Sequence, residues 1–168
     1  MQPEIRLYLL DALVMLLLVI LQVTVIPMLS ILGATPSLPL IGVAFIAMRT
    51  GAAPAMLYAF PSGLLIDAYI GDVVGISSLG LVVAGFLMGF FHDAERSTRL
   101  IRSGKAVFIV LIGAFAFNLL YVFTYFRTLD FDLGTIALRH MIGAAAYTAV
   151  LSTIPVLILG RSASRLRV

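Results

Sequence analysis

From Leu7 to Ile26 the chain runs twenty residues with one charged side chain, Asp11. Coiled as an α-helix, that stretch is about 30 Å long, the thickness of the hydrocarbon layer of a bilayer. A cleavable signal peptide has a shorter apolar core followed by a small-residue processing site. Pro27-Met28-Leu29-Ser30 supplies no such site, so the segment is expected to remain as a helix. Five further apolar runs follow: Leu38 to Met48, Ala52 to Ile66, Ile76 to Phe91, Ala106 to Phe126 and Met141 to Leu159. The expected fold is therefore all-α, a polytopic membrane helix bundle of about six transmembrane helices forming a single integral membrane domain over residues 1–168. Composition points the same way. The chain is 62% hydrophobic and 11% charged, against roughly 45–50% and 25% in soluble domains, and no core of this size could hide so much hydrocarbon.

The second run is short and sits just after Pro36 and Pro39, and Arg49-Thr50-Gly51 separates it from the third. The pair is expected either to form two short helices completed by irregular backbone buried in protein, or to make a re-entrant hairpin. The pI near 9.6 and net charge of +3 would suggest nucleic acid in a soluble protein, whereas here the distribution of charge reads as orientation. With six spans and the amino terminus inside, Arg6, Arg49, Arg96, Arg99, Arg102, Lys105, Arg161, Arg165 and Arg167 fall on the cytoplasmic side. Only Arg127 and Arg139 fall outside. Both termini are thus expected to be cytoplasmic, and no nucleic-acid role is expected. Tyr121, Tyr125 and Phe126 then lie at the outer interface, where amphipathic rings are favoured.

Lipid supplies no hydrophobic force between helices, so close packing needs small residues. Gly51, Ala55, Ala59, Gly63 and Asp67 recur at spacing four along the third segment, and Gly85 and Gly89 make a G-x-x-x-G pair in the fourth. Ala145, Ala149 and Thr153 form a weaker row in the sixth, and Gln22 and Asn118 can hydrogen-bond between helices. These rows serve packing within the bundle or docking of a partner's transmembrane helix. Asp67 stands at the carboxyl end of its helix, against like partial charge, so a compensating donor is expected. Candidates are the turn amides near Gly71 to Gly75, the start of the fourth segment, or Arg139; the carboxylate then acts as a structural cap or as a partner contact. Asp11 is expected at the inner headgroup level. Arg96, Arg99 and Arg102, at spacing three, and Lys105 are expected to lie against anionic lipid, with Leu100 and Ile101 dipping into the bilayer.

No catalytic constellation emerges. The chain lacks H-E-x-x-H, G-x-S-x-G and Walker motifs, and Arg102-Ser103-Gly104-Lys105 has no upstream glycine for a phosphate cradle. His92 and His140 fall on opposite sides of the expected topology. Asp67 and Asp72 could pair on the outer side, but nothing adjacent supplies a nucleophile. With no cysteine, thiol nucleophiles, disulfides and Cys-ligated metals are excluded. The expectation is a non-enzymatic protein with no cofactor.

Pro36-Ser37-Leu38, Arg49-Thr50-Gly51 and Gly63-Leu64-Leu65-Ile66-Asp67, followed by Gly71 and Gly75-Ile76, resemble the rod shape-determining protein MreD family over most of the amino-terminal half. That family has an aspartate after the first of these prolines, where this chain has Ser37. The carboxyl-terminal half resembles it in hydropathy alone. The resemblance implies a bacterial inner-membrane component of the peptidoglycan elongation complex. It would bind MreC, work beside MreB, RodA and a class B transpeptidase, and help maintain rod shape; a homo-oligomer is left open. It also implies a fold similar to the substrate-binding subunit of energy-coupling-factor transporters, which provides the alternative function. Such a subunit usually carries an A-x-x-x-A docking motif in its first helix, and here Ala12 has no second alanine.

Overall fold

The computed structural model describes residues 3–29, 35–71, 74–92, 104–126 and 142–155. Among them the chain is all-α, with six helices: α1 Pro3–Thr24, α2 Leu38–Thr50, α3 Ala52–Ile70, α4 Ile76–Gly89, α5 Gly104–Phe126 and α6 Ile142–Pro155. A 3₁₀ turn, Ile26–Leu29, follows α1 at Pro27.

Local chemistry fixes these ends. Ser37 caps α2 through its side-chain oxygen, which accepts from the Leu40 amide at 3.4 Å, and Pro39 occupies the first turn, where no amide is needed. Gly51 ends α2 at φ +93, a conformation that favours glycine, and its amide bonds Ala47 O at 2.9 Å. That single residue joins α2 to α3. Pro61 lies inside α3 and withholds one backbone donor, while the neighbouring Ser62 hydroxyl donates to Tyr58 O at 2.7 Å. At the far end Gly71, at φ +75, donates to Asp67 O at 3.0 Å and stops the helix. The apolar run ending at Ile66 predicts a shorter third helix; the structure continues to Ile70 because Asp67 faces protein and does not interrupt the helix.

Close contacts show how the helices run. Asp11 of α1 meets Arg49 of α2, and Gln22 meets Pro36 and Leu38, so these two helices are antiparallel. In the α3–α4 hairpin, Gly89 approaches Ala52, Gly85 approaches Ala55, and Gly63 approaches Ser78, again antiparallel. Gly80 faces Phe117 and Gly113 faces Met88, so α5 opposes α4. α2 runs parallel to α4, with Val43 beside Gly85 and Met48 beside His92.

The shortest of these, α2, is the centre of the bundle. Nine of its thirteen residues are buried. Leu40, Val43, Ala44, Ala47 and Met48 join Ala55 and Ala59 of α3, Leu81, Ala84 and Met88 of α4, and Ile109 and Val110 of α5 in one core. At 1.5 Å per residue α2 is about 20 Å long. Among the described residues two helices, Ile5–Thr24 within α1 and Ala52–Ile70, are long and apolar enough to cross a membrane; shorter apolar stretches are Leu38–Thr50, Ile76–Gly89, Lys105–Tyr121 within α5 and Ile142–Pro155. Large apolar side chains, among them Leu13, Leu17, Leu57, Phe60, Phe86, Phe108, Phe115 and Phe123, face outward from α1, α3, α4 and α5.

Candidate functional site

Polar side chains gather at the two ends of the bundle, where the helices join. At one end lie Asp11, Arg49, Gly51 and His92. Arg49, in the last turn of α2, is well placed for the helix dipole, and its Nη2 donates to Asp11 Oδ2. The arginine side chain is 36% exposed and the aspartate 14%. The carboxylate of Asp11 is thus largely enclosed and has its own cation, a partner that its place on α1 alone did not predict. Arg49 Nε is buried without an acceptor, so Nη2 carries the described contact. His92 donates from Nδ1 to Met48 O at 3.0 Å, covering the end of α2, and its ring lies 3.5 Å from where a Gly51 Cβ would stand. Tyr58 of α3 donates its hydroxyl to Tyr8 O at 3.0 Å. Together these bonds tie α1, α2, α3 and the segment after α4.

At the opposite end the extended segment before α2 is bonded by side chains from distant helices. Gln22 of α1 donates to Pro36 O at 3.1 Å and accepts from the Leu38 amide at 2.8 Å, so one side chain satisfies a backbone acceptor and a donor. Thr148 of α6 accepts from the Ser37 amide at 3.0 Å. Irregular backbone is thus supplied with partners from the protein itself. Tyr147 reaches Leu29 O at 3.4 Å beside it.

Asp67 occupies the same end, 2% exposed. Its Oδ2 accepts from the Gly75 amide at 2.7 Å, and both carboxylate oxygens lie 3.2 Å from the Ser77 amide. The positive end of α4 therefore faces the carboxylate and offsets the unfavourable end of α3. Of the donors expected for it, the turn amide and the start of the fourth helix are the ones used. Asp67 thus holds both sides of the turn, its carbonyl closing α3 through Gly71 and its side chain opening α4.

Between the two ends the small-residue rows are occupied by the bundle's own helices. A Cβ on Gly63 would stand 2.3 Å from Ser78 Cα, and one on Gly89 would stand 2.4 Å from Ala52 Cα. Those are backbone-to-backbone approaches. Gly85 faces Val43 and Ala55, while Gly51, Ala55 and Ala59 are buried. Ser78 adds an interhelical bond beside Gly63, donating from its hydroxyl to Phe60 O at 2.9 Å. Of the two readings of Gly51, Ala55, Ala59, Gly63, Asp67, Gly85 and Gly89, packing within the bundle is the one these contacts fit, with α4 lying against Ala55 and Gly63. Ala145 and Ala149 of α6 are buried as well, joined by Thr148 and Ser152, which apolar periodicity did not single out. Asn118 donates to Ala114 O on its own helix at 2.7 Å.

Lys105 is exposed at the start of α5. Arg96, Arg99 and Arg102, with Leu100 and Ile101, lie outside the described residues, as do Asp72, Arg139, His140 and the basic tail. Among the described residues no three His, Cys, Asp or Glu side chains come together as a metal site would require. Comparison with family models, curated proteins and solved structures gives no match.

Proposed function

We propose that the chain is a multi-pass protein of the bacterial inner membrane, with both ends cytoplasmic, that serves as a non-enzymatic scaffold in the peptidoglycan elongation complex. The membrane part of this reading is carried by one observation. Ile5–Thr24 and Ala52–Ile70, the two described helices long and apolar enough to cross a membrane, keep their apolar surface outside, with only 11% of the first and 33% of the second buried. A core helix of a soluble protein would be mostly covered, whereas a lipid-facing helix should look like these. The inward direction of Asp67, Gln22 and Asp11 supports the same solvent, since polar groups in hydrocarbon need protein partners.

The scaffold part is supported by the resemblance to the MreD family, carried by Pro36-Ser37-Leu38, Arg49-Thr50-Gly51 and the Gly63 to Gly75 element. The first two lie at the ends of α2, and the third runs from a close helix contact at Gly63 to the α3–α4 turn. The family-like residues therefore define the bundle, and a partner helix such as that of MreC would rest on an outward apolar face rather than on the small-residue stripes. In this reading the protein acts by holding its partners in register, with MreB, RodA and a class B transpeptidase in the same assembly.

Purification of the tagged chain in mild detergent from its own cells, with identification of everything retained, tests the proposal. Recovery of an MreC-like bitopic protein together with wall-synthesis enzymes is the expected result. Recovery of paired ATPases, or of a tightly bound vitamin, would overturn it in favour of the transporter subunit.

A further inference from the structure

α1 differs from its neighbours in what holds it. Among its described side chains only Met15 and Val19 are buried, and Met15 Sδ and Leu18 Cδ1 occupy the notch left by Gly42, where a Cβ would stand 2.6 and 2.7 Å from them. Packing of flexible side-chain tips constrains direction less than a hydrogen bond or ion pair does, so the polar contacts bear most on how the helix is oriented. The directional contacts are polar and lie near either end: Asp11 with Arg49 and Tyr58 with the Tyr8 carbonyl at one, Gln22 with Pro36 and Leu38 at the other. Eleven positions separate Asp11 from Gln22 along α1, and eleven separate Arg49 from Leu38 along α2. At 1.5 Å per residue both intervals are about 16 Å, so the two clamps close together in a single register of the antiparallel pair.

We propose that the Asp11–Arg49 pair is the latch that seats the first helix: α1 docks on the bundle when Arg49 arrives with α2, and the pair sets its height and rotation. A one-turn slip would move Asp11 about 5 Å from its cation and leave both charges uncompensated. Asp11 and Arg49 are positioning residues in this proposal, which holds whichever partners the assembled bundle has.

The absence of native cysteine allows a direct test. Cysteines replace Met15 and Gly42 in the full-length chain, and oxidative cross-linking in native membranes reports the seating of α1. A second pair, Ala55→Cys with Gly85→Cys, reports the α3–α4 hairpin, where a Cβ on Gly85 lies 3.6 Å from Ala55 Cβ, within disulfide reach. Asp11→Arg or Arg49→Asp alone is expected to slow the first cross-link about tenfold and leave the second unchanged, because each single change places like charges together. The exchange Asp11→Arg with Arg49→Asp should return the rate to within about twofold, and Arg49→Lys should retain it, since only one guanidinium contact must be replaced. Single variants that cross-link at the parental rate, or an exchange no better than either single change, would overturn the latch. Should a single change abolish both cross-links, the exchange still decides: restoration of both supports the latch and persistent loss refutes it.

Discussion

The α3–α4 hairpin and α1 are held by opposite means. In the hairpin, Gly63 and Gly89 bring backbone against backbone at two places along the interface, and Asp67 closes the turn with the amides of Gly75 and Ser77. In α1, flexible side-chain tips make the apolar contact, and polar clamps give the direction. A backbone contact cannot yield to an added methyl group, whereas a methionine tip can swing away. The comparison teaches that small residues in an apolar chain matter through what they face, and that α3–α4 is the rigid part of the bundle.

Gly63→Ala should break the contrast most severely. Its new methyl group meets the backbone of Ser78, so a loss of about 3 kcal/mol is expected in denaturant unfolding from detergent micelles. A loss below about 1 kcal/mol would mean that the hairpin is looser than the contacts described. Asp67→Asn keeps the shape of the cap and removes its charge, with an expected cost of about 2 kcal/mol in the same assay. An unchanged midpoint would show that the two amides need only a neutral acceptor. Gln22→Leu leaves the Pro36 carbonyl and the Leu38 amide without this partner, and should cost about 1.5 kcal/mol while exposing the α1–α2 junction to proteolysis. Resistance equal to the parent would remove Gln22 from the clamp. Gly113→Ala is the mildest: its methyl group would stand 2.4 to 2.9 Å from Sδ, Cε and Cγ of the buried Met88, a side chain that can repack, and a loss of about 1 kcal/mol is expected. An effect as large as that at Gly63 would erase the distinction between backbone and side-chain neighbours.

Much of the helix plan was legible in the sequence because apolar runs and their breakers are local. α2, α3 and α4 begin at Leu38, Ala52 and Ile76, the positions at which their apolar runs begin. The spacing of Gly63 and Asp67 placed both on one face, and the dipole argument required a donor for the carboxylate. What the spacing could not reveal was the receiving surface. That Gly63 meets Ser78, and that Thr148 reaches back to Ser37, depends on how distant segments pack, and hydropathy carries no such pairing. The Asp11–Arg49 pair was closer to hand: opposite charges on the same side of the expected topology, as far apart from Gln22 and Leu38 respectively as two antiparallel helices require. The place of Asp11 on its own helix does not reveal that partner; only the pairing of two helices does.

The alternation of helix direction, with Met28 and Val74 exposed near one end of the bundle and Phe91 and Lys105 near the other, is open to direct measurement. Single cysteines at these four positions, in a chain with none of its own, can be labelled in intact spheroplasts with a membrane-impermeant maleimide. The account predicts labelling from outside at 28 and 74, and labelling at 91 and 105 only after permeabilisation. Positions 74 and 91 reacting from the same side, or all four reacting in a membrane-free extract, would contradict it.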